Sequence, residues 1–486
     1  MLKKLTRALF GKATDNNGQA GNSGNKNPPN VPDELKALDL ANITVIPRDA
    51  HNISRRNISP NALKVLYRLN DAGFQAFLVG GGVRDLLLGG KPKDFDVSTD
   101  ATPEDIRELF RNSRIIGRRF KIVHIRYGRE IIEVTTFRAH HEAENEIGDD
   151  VSRRNIRDLD SAHSESGMIL RDNVYGSINE DALRRDFTIN ALYYTTRGFV
   201  VLDFADGMRD LKQRVVRIIG DPQTRFREDP VRLLRAIRFS AKLDFDIEPA
   251  TRKPIDELAP LLASISPARL FDESLKLLAN GDAENTYRLL SKFRIGQYLF
   301  QSTLDATADP EDASSKLVML ALRNTDNRLQ AGKSITPAFL YAALLWPQYQ
   351  NALRRLGEGR RLTQPILHEA ANEVITEQVQ RTAIPKRFTS MMREIWDLQQ
   401  RLNPSSRKRV DVILQHPRFR AAYDFLLLRE ESGEDLNGLG QWWTDFQAVN
   451  GSQQEKMLQE LDNKPAGSKR KRRRRPRTKP TDKAKH

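Results

Sequence analysis

Val79-Gly80-Gly81-Gly82-Val83-Arg84-Asp85, followed closely by Lys93-Asp94-Phe95-Asp96-Val97, is the stretch on which the reading of this chain turns. Phe77-Leu78-Val79 reads as a short buried strand running into the glycines. A short helix from Val83 to Leu88 is then broken by Gly89-Gly90-Lys91-Pro92. Asp94 to Ser98 reads as a second strand. Residues two apart on a strand project from one face, so Asp94 and Asp96 present two carboxylates side by side, with Phe95 and Val97 on the buried side. Paired carboxylates repel, and without a cation one of them tends to keep a proton. Magnesium relieves that repulsion, because it takes hard oxygen ligands and completes its shell with water and substrate phosphates. Gly81 and Gly82, lacking Cβ atoms, let backbone N–H groups approach phosphate oxygens. Arg84, in the first turn of the following helix, can pair with a phosphate. Asp-x-Asp alone is a weak signal, and a glycine run alone is more often a turn. Together they fit metal-assisted in-line attack on a nucleoside triphosphate.

Working outward, Ser59 and Pro60 open a helix whose apolar face is Ala62, Leu63, Leu66 and Leu69, stopping at Gly73. Thr102-Pro103 opens another. Phe120 to Tyr127 and Glu130 to Phe137 read as two strands joined by a turn at Gly128. Helices over a few mixed strands make an α+β head. From His141 to Gly167 the chain is polar and aperiodic, the pattern of a mobile insert. After Asp221 helical periodicity dominates, as in Leu233, Leu234 and Ile237 and again in Leu270, Leu275, Leu277 and Leu278. The expected organisation is a flexible segment over 1–58 and an α+β head with a mixed sheet over 59–220. A helical neck over 221–300, a helical body over 301–460 and a disordered basic tail over 461–486 complete it.

Two further segments carry charge in patterns that admit two readings. Arg184-Arg185-Asp186 is either a structural ion-pair knot or a nucleotide grip. Glu228, Asp229, Arg232 and Arg235 fall at three- and four-residue spacing on one helix face, which by itself favours a row of intrahelical salt bridges.

Gly81-Gly82-Val83-Arg84-Asp85 with Asp94-Phe95-Asp96 resembles the nucleotidyltransferases of the poly(A) polymerase and class II CCA-adding kind. The likeness continues in Arg184-Arg185-Asp186-Phe187-Thr188-Ile189-Asn190-Ala191. It returns in Arg227-Glu228-Asp229-Pro230-Val231-Arg232-Leu233-Leu234-Arg235-Ala236-Ile237-Arg238-Phe239. It runs in order over roughly 60–300 and more weakly to about 450. The resemblance implies that Asp94 and Asp96 hold Mg²⁺ or Mn²⁺, that Asp186 is a third functional carboxylate and that Arg185 contacts ribose or triphosphate. Glu133, on the strand Ile131 to Thr135, competes with Asp186 for the third position, and Asp186 is preferred. The resemblance also implies that Asp229, Arg232 and Arg235 lie on a face that selects the incoming base, since an arginine can bond a base bidentately. Ile115 to His124, Ala383 to Phe388 and His416 to Tyr423 look like the bacterial poly(A) polymerases rather than the CCA-adding enzymes. The expected activity is template-independent addition of AMP from ATP to RNA 3′ ends, in RNA processing and decay, with RNA-decay proteins as partners. CCA addition to tRNA is the alternative. A non-catalytic RNA-binding protein on the same fold is the third reading, and the intact Asp94-x-Asp96 speaks against it.

Charge is unevenly spread. The net charge is +15, of which Lys464 to His486 supply +11, leaving about +4 for everything before them. Lys469, Arg470, Lys471, Arg472, Arg473, Arg474 and Arg475 form a run too charged to fold on itself. Such an arm suits binding of RNA phosphates without sequence preference through counterion release. The helical body adds Arg387, Arg393, Arg407, Lys408, Arg409, Arg418 and Arg420. Trp442 and Trp443 are more readily core than base-stacking platforms. The chain has no cysteine, which excludes disulfides, thiolate zinc sites and cysteine nucleophiles and fits a reducing compartment. No apolar run approaches the roughly 20 residues that span a bilayer. Met1 to Lys12 resembles a very short amphipathic helix. A frayed terminus is favoured there over membrane-surface contact, and the cytoplasm is the expected compartment.

Overall fold

The computed structural model describes residues 43–117, 121–139, 146–147, 161–164, 169–172 and 174–463. The expected amphipathic N-terminus and the basic run 469–475 lie outside the described residues, whereas residues 43–58 of the segment expected to be flexible are described and supply a sheet strand, Thr44–Ile46. The chain divides into two compact units. One comprises 1–305, 322–335 and 376–384, and the other 306–321, 336–375 and 385–486. The expected head and neck both fall inside the first.

The first unit is built on an eight-stranded mixed sheet. Its strands are β1 (Thr44–Ile46), β2 (Ala76–Val79), β3 (Asp96–Thr99), β4 (Ser113–Ile116), β5 (Ile122–Tyr127) and β6 (Glu130–Thr136), with β10 (Leu192–Tyr194) and β11 (Val201–Asp203). They lie in the order β1-β11-β10-β2-β3-β6-β5-β4. Neighbours are antiparallel except β3 and β6, which run parallel with Asp96 opposite Glu133. β1, β4, β10 and β11 are three or four residues each, too short to show a two-residue period in sequence.

Helix α1 (Pro60–Asp71) starts as its sequence dictates. Ser59 Oγ accepts from the N–H groups of Asn61 and Ala62, and Pro60 occupies the first helical position, where its missing N–H has no cost. Ala62, Val65, Leu66 and Leu69 are buried. Gly73, at φ +94°, takes the left-handed conformation that ends the helix. α2 (Gly81–Leu87) follows β2 directly, and α3 (Pro103–Leu109) carries a capping box between Thr102 and Asp105. The core behind the sheet gathers Phe77, Val79, Phe137, Ile178, Tyr193 and Leu202.

The polar 141–167 segment contains β7 (Glu146–Ile147) and β8 (Ser161–Ser164); β8 pairs with β7 on one side and with β9 (Ile169–Asp172) on the other, as a separate three-stranded sheet. Strands of two and four residues in a polar segment leave no apolar alternation to read. Beyond the sheet come α4 (Ile178–Leu183), α5 (Gly207–Gln213), α6 (Pro222–Glu228) and α7 (Val231–Leu243). Helices Pro267–Leu278 and Ala283–Lys292 follow. The helical reading after Asp221 needs one correction. β13 (Asp246–Ile247) pairs with β12 (Val215–Val216), a two-residue bridge below what periodicity can detect.

Every described element of the second unit is a helix. Trp346, Trp396 and Trp443 are fully buried there. Trp396 stacks on Tyr349 at 4.5 Å and donates its indole N–H to Ala342 O, while Trp443 donates to Leu402 O. Trp442 packs against the same cluster as Trp443. These tryptophans are core, as composition favoured. Several of the arginines noted in sequence are occupied: Arg407 grips Glu455 with two bonds of 2.7 and 2.6 Å, and Arg418 pairs with Glu394.

Candidate active site

Where β2 meets α2 the chain must turn sharply, and Gly80 does so at φ +67°, a conformation costly for any residue with a Cβ. This turn brings Gly80, Gly81 and Gly82 to the edge of a cleft of about 990 Å³. The cleft is also lined by Asp94, Asp96, Arg185, Asp186, Asp229, Arg232, Arg235 and Arg238. The candidate residues Gly81, Gly82, Arg84, Asp94, Asp96, Arg185, Asp186, Asp229, Arg232 and Arg235 are therefore brought to one cavity. Glu133 is outside its lining but faces Asp96 across the β3/β6 ladder.

Asp96 is the first residue of β3, and Asp94 lies just before the strand rather than within it. The reason is the Gly80 turn. β2 ends at Val79, opposite Asp96, so nothing on that side can extend the ladder. The alternation still holds, with Phe95 and Val97 buried and Asp94 exposed. Burial and the neighbouring Glu133 push the Asp96 carboxyl up to about 6, against the pull of Arg185. Glu133 itself meets His124 Nε2 at 3.2 Å. Among the described residues no three His, Asp or Glu side chains stand in metal-holding geometry. The donor set nonetheless suits a hard cation. Two carboxylates, one of them reluctant to ionise without compensating charge, open onto a cleft with room for phosphate and water ligands.

Arg84 lies in the cleft wall. Its Nε and Nη2 bond Asp85 Oδ1 at 2.8 and 2.7 Å and its Nη1 bonds Asn190 Oδ1 at 2.7 Å. Asp186 is equally committed. Its Oδ1 accepts from the Phe187 N–H and Asn190 Nδ2, and its Oδ2 accepts from Arg235 Nε at 2.6 Å. Burial alone would raise the Asp186 carboxyl, but Arg235 and Asn190 overcome it and hold the group at about 2.

Glu228, Asp229, Arg232 and Arg235, expected on one helix face, are divided between two helices, because Asp229 leaves helical geometry at the end of α6 and Pro230 precedes α7; they are joined by an ion-pair network. Glu228 Oε2 receives Arg225 Nη1 at 2.6 Å and Arg232 Nη1 at 2.7 Å, and Arg232 Nη1 also meets Arg225 O. Asp229 is bonded by Arg269 Nη2 at 2.7 Å. The expected salt bridges are present, Arg232 to Glu228 joining α7 to α6 rather than lying within one helix, and together with Arg269 they fix Arg232 and Asp229 in the cleft wall. Arg225 and Arg269 were not singled out in sequence, since their partners are recognisable only once the helices are packed.

Arg238 was missed although a signal existed, because Arg232, Arg235 and Arg238 repeat every three residues on α7. It lines the cleft and lies over the Phe239 ring at 4.9 Å. Arg84 and Arg235 approach the same ring at 5.1 and 5.7 Å. Burial and the charge of Arg235 lower Arg238 to about 10. Nine basic and five acidic side chains line the cleft, an excess suited to a polyanionic ligand.

Residues 76–217 match the family model "Poly A polymerase head domain". Residues 244–306 match "Probable RNA and SrmB-binding site of polymerase A" and 360–479 match "Polymerase A arginine-rich C-terminus". The chain is 50% identical over 446 residues to a protein named poly(A) polymerase I from Salmonella typhimurium, covering 91% of this chain and 93% of the relative. It is 45% identical over 421 residues to the Haemophilus influenzae protein of that name, covering 86% and 90%. A CCA-adding enzyme from Lactobacillus helveticus is 40% identical, but over 216 residues, 44% of this chain and 49% of that one. Among solved structures, a tRNA-processing enzyme in apo form matches with TM-score 0.53 and 22% identity over 84% of this chain and 98% of the other. A tRNA nucleotidyltransferase complexed with primer tRNA and an incoming ATP analog matches with TM-score 0.51 and 22% identity, over 79% and 98%. At that identity these structures speak for the fold.

Proposed function

Because this chain belongs to the poly(A) polymerase I family, we propose that it extends RNA 3′ ends with AMP taken from ATP, without a nucleic-acid template. The observation that carries this reading is coverage. The poly(A) polymerase relatives align over nine-tenths of both chains, whereas the CCA-adding relative aligns over less than half of this one. In the reaction the RNA 3′-hydroxyl oxygen attacks the α-phosphorus of ATP. The bond from that phosphorus to the β-phosphate bridging oxygen breaks, pyrophosphate leaves, and the hydroxyl proton is lost.

Asp94 and Asp96 would hold divalent metal, with Glu133 completing the set from the adjacent strand. Magnesium fits these oxygen donors best, and manganese also fits. Bound there, the cations would supply charge stabilisation to the triphosphate and acidify the attacking hydroxyl. Gly80, Gly81 and Gly82 leave the cleft wall low enough for phosphates to approach. Arg185 and Arg238 provide positive charge toward the triphosphate, and Arg84 braces the wall through Asp85 and Asn190. Asp186 acts through Arg235, positioning it on the base-selecting face, where Arg232 and Asp229 meet the adenine. Of the two candidates for a third metal-facing carboxylate, the geometry favours Glu133, since both Asp186 oxygens are taken by protein donors.

The basic run 469–475 would hold RNA phosphates, and residues 244–306 would contact RNA and a protein partner of the RNA-decay machinery. No helix among the described residues is long and apolar enough to cross a membrane. A cytoplasmic setting, where RNA and ATP are both supplied, belongs to the same proposal.

The test is incubation of the purified chain with generic RNA, magnesium and single nucleotides. Long homopolymer tails with ATP alone are expected. At most a terminal A, on tRNA ending in CC, would point instead to CCA addition. Asp94→Ala is expected to abolish AMP transfer, by about 10³-fold or more, while RNA binding stays near wild type. A variant that keeps its activity removes the carboxylate pair from the mechanism.

A further inference from the structure

We propose that Asp181 and Tyr193, neither of which lines the cleft, are positioning residues for nucleotidyl transfer, holding Arg185 so that one edge of its guanidinium faces Gly80 and Asp96. The inference rests on the functional reading above and adds to it the residues that act from behind the site.

Asp181 sits on α4 and is 2% exposed. Its Oδ2 accepts from the Tyr193 hydroxyl at 2.6 Å, from Arg185 Nη2 at 3.1 Å and from Ser98 Oγ at 3.2 Å. Its Oδ1 accepts from the Arg138 N–H and from Arg184 Nε, each at 3.3 Å. Tyr193 accepts from Arg185 Nε at 2.6 Å, and the guanidinium lies over its ring at 4.9 Å. Two of the three guanidinium nitrogens are thus turned inward, along a relay that runs from Arg185 to the tyrosine hydroxyl and on to the carboxylate. Nη1 is left on the cleft side, 3.5 Å from the point a Cβ on Gly80 would occupy. Ser98 lies two residues beyond Asp96 on β3, so the carboxylate that fixes the arginine also ties down the strand bearing the metal-facing acid.

This is more than is needed to fill a core. Apolar side chains of similar volume stabilise a buried site at least as well as an ion pair. A satisfied polar network is rigid, however, and rigidity behind a charged group sets where that group points. Arg185 and Asp96 line the same cleft, so a guanidinium held in one orientation fixes where positive charge stands beside that acid.

The experiment is a double-mutant cycle on the full chain, reading kcat/KM for ATP with RNA in excess. Tyr193→Phe removes one oxygen and keeps the ring that packs on Phe77 and Phe204. It is expected to lower kcat/KM by about 10- to 100-fold, the order found when a reacting group is misplaced by about an ångström. KM for RNA and Tm should stay close to wild type. Arg185→Lys should also lower kcat/KM, and adding Tyr193→Phe to it should cost nothing further, because the hydroxyl acts through the guanidinium. Asp181→Asn, equal in size, should show the same loss and the same masking. Losses that multiply in the double variants would mean that Asp181 and Tyr193 act independently of Arg185 and would overturn the proposal. So would a Tyr193→Phe protein within about twofold of wild type. Wild-type protein that adds no AMP would instead overturn the functional reading on which this one rests.

Discussion

Asp186 shows how much one side chain can depend on residues far away in sequence. The reading of Arg184-Arg185-Asp186 as a knot or a grip could not be settled from the triplet, because Arg235, which takes one oxygen of Asp186, lies forty-nine positions on. Asp94 and Asp96 differ in that their shared position at the cleft follows from local sequence, two acids at two-residue spacing shortly after a glycine turn. Both Asp181 and Asp186 are held at about 2 in the folded chain, though burial alone would raise them. Arg185 and Arg184 overcome it at the first, and Arg235 at the second. An acid whose folded pKa is depressed stabilises the fold above its unfolded pKa of about 4 and loses that contribution as pH falls toward the folded value. Denaturant unfolding is therefore expected to show stability falling between about pH 4 and 2, with Asp186 alone contributing about 2 kcal/mol. Asp186→Ala, which leaves Arg235 without its carboxylate, should cost about 3–5 kcal/mol at pH 7 and flatten part of that slope. A variant as stable as wild type would show that the pair is not coupled to folding.

At the scale of elements, α1 was legible because it carries an apolar face at helical period and a recognisable start, whereas α7 showed the period but not its start, the expected helix face running back across Pro230 to Glu228. The short strands were not: a three-residue run such as Leu192 to Tyr194 acquires its identity only from the neighbours it pairs with. Helix Ala283–Lys292 offers a test of element energetics. Its leading N–H groups, from Ala283 and Glu284, are capped by Asp326 at 2.7 and 3.1 Å. Asp282, at the nominal cap, makes no side-chain capping bond. Burial and the charge of Asp326 raise Asp282 to about 6. An acid with a raised folded pKa keeps its proton more readily folded than unfolded, so stability declines as pH rises from about 4 to 6, with the full penalty above 6. Asp282→Asn should therefore raise Tm at pH 8 and change little at pH 4. The gain should be on the order of 1 kcal/mol, because water still reaches this carboxylate. A loss of stability at pH 8 would assign the Asp282 charge a favourable partner, with Lys93 or Lys242 the first to examine.

At the scale of the whole molecule, the division into an α+β part and a helical part was visible from the change of period after Asp221. The compact units divide elsewhere, because residues 322–335 and 376–384 belong with the first unit although they come late in the chain. No local pattern announces such a return. Charge is the other whole-molecule feature, concentrated in the last 23 residues. Removing 464–486 is expected to weaken RNA binding and to flatten its dependence on salt, by about 0.7 in log–log slope for each phosphate that the arm neutralises. Single-nucleotide addition to a bound primer should persist. Equal affinity at low salt in the truncated and full chains would take the tail out of RNA binding.

All four tryptophans of the chain, at 346, 396, 442 and 443, lie in the second unit, three of them fully enclosed. Light absorbed at the red edge of the indole band therefore excites that unit alone. Emission from it becomes a built-in optical label, against which the circular dichroism of the complete chain can be compared, so that the order in which the two parts melt is readable without attaching any dye.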